Sequence, residues 1–128
     1  MIGTVSITDL HLEYQLWLRE LTFYKEEIKI FEAHLETLAN RNNKKAAQAQ
    51  IEHFQNQFIR HKEVIDILKH DLQVSERQLA SFVFNLTRIG FENIKMDNHG
   101  SLRDRILVFK KIYSELKQEF RRFETKWT

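Results

Sequence analysis

The chain has 128 residues, 42% hydrophobic and 30% charged, which suffices for one domain with a modest core and argues against disorder. Its 20 basic and 18 acidic side chains leave a net charge of +2, too small for a general pull on nucleic acid or anionic lipid. Cys is absent, which excludes disulfides, thiolate metal sites and cysteine nucleophiles.

Residues 1–6 carry neither a basic start nor an apolar run, so no signal peptide is expected. No apolar stretch approaches the ~18 residues of a membrane span. A cytoplasmic protein with no membrane contact is therefore the default expectation. Pro is absent and Gly occurs only 3 times, so the fold is read as all-α, with few turns and long helices.

The first helix is predicted over about 7–40, with Ser6 or Thr8 as its cap and Asp9 at the positive end of its dipole. Leu10, Tyr14, Trp17, Leu21, Tyr24, Ile28, Phe31, Leu35 and Leu38 follow a three-four alternation and form its seam. A second column, Leu16, Phe23 and Ile30, repeats every seven residues beside it. That makes the apolar face too wide for one partner.

Asn40-Arg41-Asn42-Asn43 is the first predicted turn, because Asn tolerates the left-handed conformation. The phase of the apolar stripe also slips there by about two residues, which a hairpin resolves. The middle helix, about 44–93, carries Ile51, Phe54, Phe58, His61, Ile65, Leu68, Leu72, Ser75, Leu79, Phe82, Leu86 and Ile89 on its seam. Only His61 and Ser75 are polar in that stripe. It is predicted to end at Gly90 or a turn later, through Ile94. Asp97-Asn98-His99-Gly100 is assigned to a second turn, and Ser101 to the start of a third helix over about 101–127.

Short turns between such stripes imply an antiparallel, coiled-coil-like bundle of three helices in one domain, 1–128. The alternative is a four-helix bundle broken near Ser75, where Ser75-x-x-Gln78 has the form of a capping box. Counting back from a turn near Asp97 sets Phe109 beside Phe82 and Phe123 beside Leu68. Residues from about Thr22 to Val64 then form an uncovered two-helix arm.

Catalytic signals are weak. Glu-x-x-His is missing, the serines have no glycine loop, and the paired carboxylates sit among lysines and arginines. No enzyme, metal or cofactor is expected. His61 should be a buried seam residue in the layer of Tyr24, with Glu27 at its border. The expected function is a non-enzymatic helical module that pairs with itself as a homodimer or docks a helical partner. Its expected interface is Leu16, Phe23, Ile30, Phe31, Phe54, Phe58 and Ile59. The alternative is weak binding of nucleic acid or an anionic surface through Lys110, Lys111, Lys117, Arg121, Arg122 and Lys126. Their interleaving with Glu115, Glu119 and Glu124 argues instead for pairs along the third helix.

Overall fold

A chain without Pro, whose apolar residues recur at helical spacing, has little to interrupt a helix except its asparagines and glycines. The computed structural model describes residues 7–89 and 97–128, and three α-helices account for nearly all of them. They are α1 (Ile7–Arg41), α2 (Lys45–Ile89) and α3 (Asp97–Trp127). The bundle is all-α, as its sequence patterning predicts.

The first turn falls at the asparagine cluster. The Asn42 side-chain amide donates to the Leu38 carbonyl at 2.8 Å, satisfying one of the open carbonyls at the end of α1. Beyond it α2 runs back along α1, since partner numbers on one helix fall as those on the other rise. Gln15 donates to Glu76, Lys25 pairs with Asp66, and Glu32 pairs with Lys62.

The helix passes through Ser75 without a break, so the four-helix alternative is not what forms. Ser75 is buried, and its hydroxyl lies by the Tyr14 hydroxyl of α1, whose pKa it lowers against the effect of burial. A polar seam residue with a partner on the neighbouring helix gives no reason for the helix to stop.

The third helix differs from expectation in both its start and its register. Asp97-Asn98-His99-Gly100 is helical rather than a turn. His99 extends the three-four alternation of Leu102 and Ile106 one step backward, and it is buried against Tyr14 and Trp17. Burial on the seam outweighs the helix-breaking tendency of Gly100.

Along the bundle, Phe123 packs at a tilt against Phe54, Phe109 meets His61, and Trp127 donates to Gln50. Relative to the expected pairing, α3 has slid two heptads toward the first turn. The supposed two-helix arm is therefore covered. Near the far end of α2, Val83 and Phe84 are exposed. The expected roles of Gly90, Ile94 and Ser6 lie outside the described residues, whereas Thr8 is inside α1 and does not cap it.

The slide has a direct energetic reason. Phe120 reaches Phe31, Phe54 and Phe58 with ring centroids 5.1–5.3 Å apart. Each fully buried side chain of this size contributes about 1.5–3 kcal/mol. In the expected register all three rings would stand half in water.

Gly100 is exposed, lies within α3, and has no atom within 4 Å of where a Cβ would sit. Gly100→Ala removes unfolded-chain entropy without a clash, so it is expected to stabilise the bundle by up to about 1 kcal/mol. Urea unfolding of the two chains measures this, and a lower midpoint for the variant would contradict the assignment of Gly100 to a helix.

Candidate interaction surface and buried polar layers

The α1–α3 contact is organised by a heptad of charge. Residues 13, 20, 27 and 34 of α1 face residues 103, 110, 117 and 124 of α3. Glu13 takes both Nε and Nη2 of Arg103 at 2.9 Å. Glu20 pairs with Lys110 at 3.0 Å and Glu27 with Lys117 at 2.9 Å. The fourth rung has reversed polarity, with His34 on α1 against Glu124 on α3.

Both rows rise together, so α1 and α3 point the same way. Partly exposed pairs of this kind contribute about 0–1 kcal/mol each. Their main effect is on register. Slid by two heptads, Glu124 would lie near Glu20 and most rungs would be lost. The basic residues Lys110 and Lys117 thus pair across helices, not along α3 with its own glutamates as expected. That neutralises part of the cluster proposed for anionic ligands.

Two histidines are buried inside this frame. His61 is 5% exposed; its Nδ1–H donates to the Gln57 carbonyl at 2.8 Å, and Nε2 is buried with no hydrogen-bond partner. Its ring lies against Phe109 and Tyr113. Tyr24 meets the same two rings from α1, but it is only half-buried. The expected layer therefore forms through α3. Glu27 does not turn to His61. It accepts from the Tyr113 hydroxyl at 2.6 Å and from Lys117. Burial pushes the His61 pKa below the ordinary histidine value, and it pushes Tyr113 up, reinforced by the Glu27 carboxylate.

The sequence pattern assigns His99 to the second turn, so it is not among the residues expected to be buried. Continuing the seam backward from Leu102 would have found it. Its Nδ1 lies 3.3 Å from the Tyr14 hydroxyl, and its Nε2 lies 3.1 Å from Arg103 Nη2 and 3.3 Å from Glu13 Oε2. Arg103 donates to Nε2 only when the ring is neutral, with its proton on Nδ1 facing Tyr14. Burial lowers the pKa of this histidine as well, against the opposing pull of Glu13. Among the described residues, no group of three or more His, Asp or Glu side chains could hold a metal ion.

The expected interface residues divide into two sets. Phe54 and Phe58 are buried and Phe31 is half-buried, all beneath Phe120 of the same chain, so they are not open to a partner. Leu16, Phe23 and Ile30 remain 55%, 59% and 68% exposed. Each stands four residues before a rung of the charge row (Glu20, Glu27, His34), hence on the α3 flank of α1.

Ile59 is also exposed, but it lies three residues before Lys62 and seven before Asp66. Those two residues face the opposite flank of α1. The column on α1 and Ile59 therefore do not share one surface. No described helix is long and apolar enough to cross a membrane. Neither protein-family models, curated proteins nor solved structures provide a match to this chain.

Proposed function

We propose that the protein is a non-enzymatic interaction module that docks a helical partner along the outer column of α1. The observation carrying this reading is the exposure of Leu16, Phe23 and Ile30 at seven-residue spacing on a helix whose own seam is already filled. Two turns separate each pair, about 10.5 Å, the repeat another amphipathic helix presents. An enzyme would need convergent polar groups in a cleft. Here Tyr14, His99 and Arg103 meet across helices, His61 bonds within α2, and the open column on α1 is apolar.

The test uses a fluorescein-labelled synthetic helix of three heptads with Leu at every first and fourth position. Fluorescence anisotropy should report binding that Phe23→Glu weakens at least about tenfold, because a desolvated carboxylate on the apolar column is costly. Circular dichroism should show helicity retained. Binding that is indifferent to both Phe23→Glu and Ile30→Glu would overturn the assignment of this face.

A further inference from the structure

We infer that the occupant of this face is a second copy of the chain, its α1 lying antiparallel on the first about a two-fold axis through Phe23. This deepens the docking reading above and rests on it. Leu16 and Ile30 stand seven residues to either side of Phe23, so a two-fold there sets Leu16 of each copy opposite Ile30 of the other. An isologous contact requires that kind of self-complementarity.

The flanking charges select the direction. Arg19 lies four residues before Phe23 and Glu26 three after it, on the edge of the column away from α3. Arg19 is exposed and has no ion pair among the described residues. Glu26 is exposed and has only a pair with Lys29 within its own helix, 3.2 Å long. Antiparallel pairing brings Arg19 of each copy against Glu26 of the other, twice over.

Parallel pairing would instead face this edge with the α3-side edge. Arg19 would gain Glu20, but Glu26 would meet Glu27, one attraction set against one repulsion. In the antiparallel arrangement Glu20 and Glu27 of the two copies approach each other. Lys110 and Lys117 hold these carboxylates in either arrangement, so the two pairs of Arg19 with Glu26, whose charges are not held across helices, decide for the antiparallel one.

Sedimentation equilibrium of the full chain from 1 to 500 μM tests the state, with charge swaps to test the geometry. The wild type should dimerise within the range. Arg19→Glu and Glu26→Arg should each weaken the dimer about tenfold, since each converts two attractions into repulsions. The double swap should restore it, because every pair is re-formed with reversed sign.

The chain has no natural cysteine, so single ones report the direction. Oxidised mixtures of Leu16→Cys and Ile30→Cys chains should cross-link to each other. A disulfide formed preferentially between two Leu16→Cys chains would overturn the antiparallel arrangement. A double swap as weak as either single one would overturn the charge pairing. A wild type that stays monomeric throughout, yet still binds the three-heptad peptide through Phe23, would overturn the second copy while leaving the docking face intact. A monomer that binds no peptide would overturn both.

Discussion

Phe120→Ala is expected to destabilise the bundle by about 3–5 kcal/mol, the usual loss for truncating a buried Phe. Phe120 is fully buried, and it contacts Phe31 of α1, Phe54 and Phe58 of α2, and Phe123 one turn on. It thus ties all three helices at one level. Its removal opens a cavity lined by stiff rings that cannot collapse far.

Because a domain of this size has about 5–15 kcal/mol of stability, about a fifth or more of it is lost in one substitution. Val108→Ala is the control: Val108 is 57% exposed on α3, and its truncation should cost less than about 0.5 kcal/mol. Urea unfolding of the three chains decides the matter. If Phe120→Ala cost no more than Val108→Ala, the register that places α3 over the first hairpin would be wrong.

The second large effect is a loss of stability in mild acid. His61 and His99 are both buried with pKa values lowered by desolvation. The unfolded chain binds a proton on each near the ordinary pKa of about 6.5, while the folded chain resists until lower pH. The unfolded state therefore holds more protons in that window. The contribution to stability is present above pH 6.5 and is lost as pH falls toward the folded values.

Each histidine contributes a slope of up to about 1.4 kcal/mol per pH unit, so the two together approach about 2.7. The groups around them explain the resistance. His61 has Phe109, Tyr113 and the Gln57 carbonyl as neighbours, and Arg60 nearby opposes a second positive charge. His99 would lose its bond from Arg103 on protonation, and Glu13 offsets this only in part.

Denaturant midpoints measured from pH 7.5 to 5 should fall below 6.5 for the wild type. They should fall less for His61→Leu, and least for the chain that also carries His99→Leu. At neutral pH, His61→Leu should be neutral or stabilising, because it removes a buried nitrogen without a partner. A double variant with the same acid slope as the wild type would assign the effect to other groups.

What could be read from the chain without its coordinates was the local part. Three-four alternation at Leu10 through Leu38 and at Ile51 through Leu79 specifies which face of each helix is buried. The asparagines 40, 42 and 43, together with the phase slip, specify the first hairpin. Leu16, Phe23 and Ile30 were legible as surplus apolar residues, and they remain exposed.

Register lay beyond such reasoning, because a heptad pattern matches itself after every slide of seven residues. Phe123 fits as well beside Leu68 as beside Phe54 by pattern alone. Only the packed structure chose between them. In it, Phe120 fills the space among Phe31, Phe54 and Phe58, and 13, 20, 27 and 34 meet 103, 110, 117 and 124 in pairs. Both the burial and the charge favour the same slide. The same choice decided that His99 belongs to the core and not to a turn. The pairs of Lys25 with Asp66 and Glu32 with Lys62, between α1 and α2, set Ile59 on the opposite flank of α1 from the column, and neither helix carries a record of its neighbours across the interface.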